Sequence, residues 1–269
     1  MLRVDVVTEA PTRQGDPSIL SQPALASTES RERLEALVAG FLGWQLTMAL
    51  YGYLHRIQFA GQPAVENYKA RARALREQPD PLSVASNWQP AWHEGIQTLL
   101  APAGGVASEP DTATPQPAYV FARALAVAVS AEGRSQGLPL GYLDVTINGE
   151  AGAGLFDVLA QRVRAIGNTL LGIPVKVRQA PAAYHSTEQS EMDGPPNLVS
   201  LRLVARETEA CLLGSYTNAF LHAQAVSTWQ AMMEAGRSCF LLVIDGSFEN
   251  AREPLAAFWA RVEAQLRNR

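Results

Sequence analysis

The sequence predicts an α/β protein: a mainly parallel β-sheet flanked by helices, preceded by an all-helical N-terminal region. Two observations support this prediction. In the second half of the chain, strand-like segments alternate with helix-like segments, and one strand, Ser238–Ile244, is apolar on both faces. Between Thr28 and Leu100 the apolar residues recur at helical spacing instead. Strands that alternate with helices and are apolar on both faces are typical of parallel sheets covered on both sides.

The length and composition of the chain are those of a globular protein. Its 269 residues, 47% of them hydrophobic, are enough to bury a sizeable core without disulfide bonds or a structural metal. The net charge of −4 would repel the phosphates of nucleic acids, so a nucleic-acid partner is not expected. Two cysteines in a chain of this length are typical of a reducing compartment, and we expect a cytoplasmic protein. Arginine supplies nearly all the basic residues, which is a bias of GC-rich bacterial genomes.

Residues 1–100 are predicted to form the helical region. A short strand over Leu2–Val7 precedes a stretch rich in proline and serine, and the clearest helix of the chain then covers Leu34–Ile57. Its apolar run is interrupted by polar and charged residues, namely Glu35, Gln45, His55 and Arg56. We therefore expect a buried helix and not a membrane span. Two more helices are predicted over Ala64–Glu77 and Asn87–Leu100.

Residues 101–117 are the predicted linker, because the segment contains four prolines and two glycines and its apolar residues do not recur at a regular spacing. The α/β domain is predicted to follow over residues 118–269. Its strands are expected at Gly141–Ile147, Pro174–Arg178, Leu198–Val204 and Ser238–Ile244. Its helices are expected at Tyr119–Ala131, Leu155–Leu171, Tyr216–Glu234 and Glu253–Leu266, with a polar loop over 181–197.

Polar residues at the ends of two predicted strands are candidate ligand-binding or catalytic residues. Asp245 and Ser247 follow the apolar strand directly, and ligands of open α/β sheets bind beyond the carboxyl ends of the strands. The alternative is that Asp245 only begins a turn, in which Gly246 supplies a positive φ. Asn148 and Glu150 belong to a glycine-rich connection that can bring backbone N–H groups close to a ligand. Because this connection matches no phosphate-binding fingerprint, a plain tight loop is the favoured interpretation.

Cys211 and His222 are the candidate pair for nucleophilic catalysis. A reactive thiolate needs an adjacent base or a helix N-terminus, and Cys211 stands shortly before the helix that starts near Tyr216. The commoner alternative is a structural cysteine and a half-exposed histidine. Cys239 lies inside the apolar strand and is expected in the core. The histidines and cysteines show no metal-ligand spacing, so neither a metal nor a cofactor is predicted.

One segment has a family resemblance. Residues 216–245, a helix that ends in Met-Glu-Ala-Gly-Arg and a strand Cys-Phe-Leu-Leu-Val-Ile-Asp, are similar to the helix and strand that follow the nucleophile of β-ketoacyl synthases and thiolases. The resemblance places the nucleophile near Thr217 or Asn218, where no cysteine stands. The Gly-Gly that follows the strand in those enzymes is replaced here by Asp245-Gly246. An active condensing enzyme is therefore disfavoured.

The predicted function is that of a bacterial cytosolic accessory or assembly subunit, which acts mainly through protein–protein interaction as a homo-oligomer or with another protein. The wide apolar surface of the helix Leu34–Ile57 is suited to an oligomer as well as to a core. The alternative is a hydrolase or acyl-transfer enzyme with its site at the C-terminal edge of the sheet. That site would lie near Asp245 and Asn148, with Cys211 and His222 as nucleophile and base.

Overall fold

The computed structural model describes residues 3–7, 19–23, 29–56, 63–102, 116–130, 139–180, 188–206 and 217–268. The chain divides into two compact units, Met1–Gly61 and Gln62–Arg269. The first unit contains a long helix, and the second contains a mostly parallel mixed sheet flanked by helices. The predicted fold class is therefore confirmed.

The first unit contains two short strands and one long helix. Strand β1 (Arg3–Val7) pairs in parallel with β2 (Ile19–Pro23), which confirms the predicted first strand, and helix α1 covers Ser30–Leu54. Gly52 is the single buried residue of α1. The expectation of a buried helix is therefore wrong, because an apolar composition does not by itself place a helix in a core. Within the described ranges, α1 is the one helix long and apolar enough to cross a membrane.

The sheet of the second unit has the strand order β3-β4-β8-β7-β5-β6 over the residues that are placed. These strands are β3 (Ala91–Glu94), β4 (Gln97–Leu100), β5 (Tyr142–Asn148), β6 (Val175–Ala180), β7 (Leu198–Arg206) and β8 (Ser238–Asp245). Strands β5 to β8 are parallel to one another, whereas β4 runs antiparallel to both β8 and β3. The carboxyl ends of the parallel strands therefore lie at one edge, as the crossover connections of a βαβ protein require.

Helices cover both faces of this sheet. They are α2 (Pro63–Arg76), α3 (Ser83–Ser86), α4 (Pro117–Val129), α5 (Ala153–Arg164), α6 (Glu188–Asp193), α7 (Asn218–Glu234) and α8 (Arg252–Arg267). On one face, α4, α5 and α8 pack on a core that includes Val145 and Phe121. On the other face, α2 and α7 pack on a core that includes Leu241 and Val243. Helix α5 continues as a π-helix over Ala165–Leu171.

The segment Asn87–Leu100 differs from its predicted helix. It contains the hairpin β3–β4, which turns at Gly95 with a φ of 55°. Pairing along the β8 edge satisfies its backbone: Leu99 lies opposite Leu242, and the N–H of Asp245 donates to the carbonyl of Ile96 at 2.8 Å. This long-range pairing outweighs the local helical spacing.

The hairpin also moves the boundary between the units. Since β4 belongs to the sheet, residues 63–100 form one unit with it, and the division falls between Gly61 and Gln62 rather than within the predicted linker 101–117. Residues 103–115 of that linker lie outside the described residues. The predicted loop 181–197 contains α6 in its described part.

Candidate functional site

The carboxyl edge of the sheet brings several of the predicted residues into two clefts. In the strand register Asn148 lies opposite Val204, and Asp245 lies opposite Arg206. Ala205 lines the first cleft and Arg206 lines the second, so consecutive residues of β7 border both. The position of the first cleft beyond the parallel strands β5 and β7 is the one expected for a ligand site in an α/β fold, whereas the second cleft also extends along the antiparallel strands β3 and β4.

The first cleft is lined by Asn148, Glu150 and His222 and has a volume of about 10 Å³, which is room for about one water molecule. The side chain of Asn148 is buried, and its Nδ2 donates to the carbonyl of Leu203 at 3.1 Å. His222 Nε2 lies 2.9 Å from the carbonyl oxygen of Ala205. Because a carbonyl only accepts, Nε2 carries the proton, and Nδ1 is the nitrogen left to act as a base. Burial lowers the pKa of His222, so its ring is neutral at neutral pH.

The second cleft contains Asp245 and has a volume of about 250 Å³. Its polar lining is completed by Gln89, His93, Thr98 and Arg206. Arg206 lies 2.9 Å from Asp80 and 3.6 Å from Asp245, so it bridges two carboxylates at the rim. The structure thus places Asp245 in a different cleft from His222.

The remaining predicted residues have distinct positions. Ser247 belongs to the turn after β8: its Oγ accepts from the N–H of Asn250 at 3.2 Å, and Gly246 has a φ of 98°, as the turn interpretation requires. Cys211 lies outside the described residues. At the position where the ketosynthase resemblance places a nucleophile, the Thr217 side chain caps α7 by accepting from Phe220 N–H at 3.2 Å. Among the placed residues, no group of three or more histidine, cysteine, aspartate or glutamate side chains is arranged to hold a metal ion.

A buried ionic network that the sequence did not predict, the Arg202 network, lies on the α2–α7 face of the sheet. Arg202 is fully buried, and its guanidinium donates to Glu188 at 3.0 Å and to Glu191 at 3.0 Å. Asp144 accepts from Arg178 at 2.9 Å, and the same nitrogen of Arg178 donates to Glu191 at 2.8 Å. The strands β5, β6 and β7 supply one side of the network, and α6 supplies the two glutamates.

The two glutamates of the Arg202 network have opposite pKa shifts. Burial raises the pKa of Glu188 to about 7, although the charge of Arg202 acts in the opposite direction. Burial would also raise the pKa of Glu191, but Arg202, Arg178 and Lys176 outweigh it and lower that pKa to about 2. Glu191 contacts all three cations, which explains why its charged form is stabilised. The network is consequently a structural unit in which one carboxyl group titrates near neutrality.

A third concave surface runs between α5 and α8 and is called here the α5–α8 groove. It has a volume of about 70 Å³, and its walls are apolar apart from two arginines. The lining includes Val158, Arg162, Arg252 and Trp259. Val158 is 53% exposed, whereas Trp259 is fully buried and its indole N–H has no hydrogen-bond partner among the described residues. Arg162 lies 3.1 Å from Glu263, and the Arg252 guanidinium has no ion-pair partner in the part of the chain that is placed.

Comparison with known proteins gives little likeness. No protein-family model matches the chain, and no curated protein matches it. Among solved structures, the chain is similar to a hypothetical protein from the bacterium Thermus thermophilus, with 16% sequence identity and a TM-score of 0.37. That match covers 56% of this chain and 43% of the Thermus protein, so it spans less than half of that protein's length.

Proposed function

We propose that the protein is a bacterial accessory or assembly subunit that acts by binding another protein, and that the α5–α8 groove is its docking site. The observation that carries the proposal is the combination in one groove of an exposed valine, apolar walls and an arginine that has no ion-pair partner among the placed residues. The cysteine usage and composition support a cytoplasmic location for the α/β unit.

The groove has dimensions that suit a segment of a partner protein. From Leu155 to Arg162 it extends about 10 Å along α5, which is two helical turns. An amphipathic helix presents apolar side chains at this spacing, and Val158 would be covered by one of them. Arg252 would pair with an acidic residue beside the apolar contact. The expected partner segment is therefore apolar with an acidic flank.

Photo-crosslinking tests the proposal with a matched control. A photoreactive amino acid replaces Val158 in one variant and Val127 of α4 in the other, because these two valines are similarly exposed, at 53% and 47%. We expect position 158 to crosslink to one defined protein, or to a second copy of this chain, and position 127 to give no such product. Arg252→Glu should lower the yield several-fold. Identical products from both positions, or a yield that Arg252→Glu leaves unchanged, would refute the proposed docking site.

The second candidate is the hydrolase or acyl-transfer enzyme, and the first cleft favours it. Asn148, Glu150 and a neutral His222 line that cleft together with Ala205 of β7. Thiol labelling tests this candidate function, because Cys239 does not interfere. Burial raises the pKa of Cys239 to about 12 and keeps that thiol unreactive in the folded protein. Labelling of the native protein by iodoacetamide therefore reports on Cys211.

For an enzyme with this dyad, we expect labelling at pH 6 to be at least tenfold faster than for an ordinary thiol, and we expect His222→Ala to abolish the acceleration. Cys211→Ala is the control that should remove the native label. If Cys211 reacts at the rate of an ordinary thiol and His222→Ala leaves that rate unchanged, an enzyme with Cys211 as nucleophile and His222 as base is excluded.

A further inference from the structure

We propose that α1 lies within a lipid bilayer and anchors the protein to a membrane. The proposal goes beyond the binding function assigned to the α5–α8 groove and does not depend on it. It starts from the length of the uncharged part of the helix. No charged residue occurs from Ala36 to Leu54, a stretch about 28 Å long as a helix. The hydrocarbon core of a bilayer is about 30 Å thick.

The apolar surface of α1 surrounds the helix. At about 100° per residue, Leu37, Leu42 and Leu54 point in three directions that are about 140°, 120° and 100° apart. All three are exposed, by 41%, 55% and 74%. A groove on a partner protein would cover one side and leave the others in water. A bilayer contacts every side of the helix, and a helix that is apolar all round is typical of a membrane span.

The ends of α1 have the residues expected at the two membrane surfaces. Arg31 and Arg33 precede the uncharged stretch together with Glu32 and Glu35, and Arg56 follows it. Tyr51 and Tyr53 lie in the last helical turn, where tyrosines of membrane proteins sit at the level of the lipid headgroups. The polar and charged residues that interrupt the apolar run therefore argue less strongly against a membrane span than their number indicates. Of those four residues, Glu35, His55 and Arg56 lie at or beyond the ends of the uncharged stretch.

The polar groups inside the stretch are compatible with lipid. The hydroxyl of Thr47 donates to the carbonyl of Gly43 at 2.8 Å, which satisfies it within the helix. Gln45 is the interruption that does lie near the centre, and it is uncharged. A lone amide in a membrane helix pairs across helices when the protein associates, and its cost is far below that of a charge.

The test uses the full-length protein and floating vesicles of phosphatidylcholine, which is electrically neutral and excludes attraction by surface charge. Two variants place the same charge at different depths. Leu46→Arg lies near the centre of the uncharged stretch, and Leu34→Arg lies in the charged segment just before it. These leucines are similarly exposed, at 56% and 60%, so a protein groove or water would treat the two changes alike.

We expect the wild type to float with the vesicles and to resist alkaline carbonate. Leu46→Arg should reduce the bound fraction on the order of 100-fold, whereas Leu34→Arg should change it by less than about twofold. Near-ultraviolet circular dichroism of both variants checks that the α/β unit is folded. A wild-type protein that stays in the soluble fraction as a discrete oligomer would overturn the proposal in favour of a second copy around α1. Equal losses in the two variants would overturn it too.

Discussion

Replacing Glu188 by glutamine should make the stability of the protein less dependent on pH. In the folded protein the Glu188 side chain is fully buried beside Arg202, and burial raises its pKa from 4.5 to about 7. Folding therefore favours the protonated carboxyl. The contribution of Glu188 to stability is fully present below pH 4.5 and is lost as the pH rises through 7. Glutamine resembles the protonated form and does not ionise.

The size of the effect follows from the pKa shift. A rise from 4.5 to about 7 corresponds to about 3 kcal/mol of unfolding free energy between pH 4 and pH 8. Relative to the wild type, Glu188→Gln should therefore be more favourable at pH 8 than at pH 5 by about 2–3 kcal/mol. Glu191 does not contribute to this difference, because its pKa is lowered to about 2 and its own effect is lost only as the pH falls below 4.5.

Urea unfolding followed by tryptophan fluorescence measures the free energies of unfolding of the wild type and of Glu188→Gln at each pH. Coincidence of these unfolding curves with those from circular dichroism checks two-state behaviour. Glu66→Gln, on the exposed glutamate of α2 that pairs with Lys69, is the control and should change the free energy by less than about 0.5 kcal/mol at either pH. If the difference between Glu188→Gln and the wild type is the same at pH 5 and pH 8, or has the opposite sign, the electrostatic account of the Arg202 network is wrong.

The same structure gives further predictions about stability, all measured by urea unfolding. Arg202→Met should cost about 3–5 kcal/mol at pH 7, because it removes the buried cation that pairs with both Glu188 and Glu191; a loss below about 1 kcal/mol would contradict this. Gly167→Ala should cost about 1–3 kcal/mol, since an added Cβ would lie 2.0 Å from Cγ2 of Val175. Gly154→Ala, near the start of α5, meets only a side-chain nitrogen at 3.5 Å and should stabilise by up to about 1 kcal/mol. Equal effects of the two glycine substitutions would show that packing against β6 is not the cause.

The regular part of the fold could be predicted because hydrophobic period and turn residues agree there. The segment Gly141–Ile147 alternates and is followed by Asn-Gly, and it forms the interior strand β5. In the hairpin β3–β4 these signals conflict. Trp88 and Trp92 are four residues apart, as on one helix face, yet Trp92 belongs to a strand of only four residues. So short a strand has almost no period of its own, and the β8 edge decides its conformation.

The candidate site could be predicted in part for a similar reason. Asn148 and His222 share a cleft because a strand end and a helix start meet at the carboxyl edge, which is a rule of the fold. The Arg202 network follows no such rule. The alternating polar residues Asp144, Thr146 and Arg202 resemble the solvent face of a strand, and the glutamates that neutralise Arg202 come from a segment predicted to be a loop. Only the packing of α6 against the sheet shows that these charges are buried.

Helices α1 and α7 are both apolar, but α7 is a buried core helix whereas α1 is exposed. Both are long and rich in apolar residues, and neither shows one distinct apolar face. Eleven of the seventeen residues of α7 are buried, because α7 connects β7 to β8 and the sheet and α2 cover it. In α1, by contrast, Gly52 is the one buried residue. Hydrophobicity alone does not distinguish the two cases, but the position of the charges does: those of α1 lie at its ends, which is the arrangement that a bilayer selects and a protein core does not require.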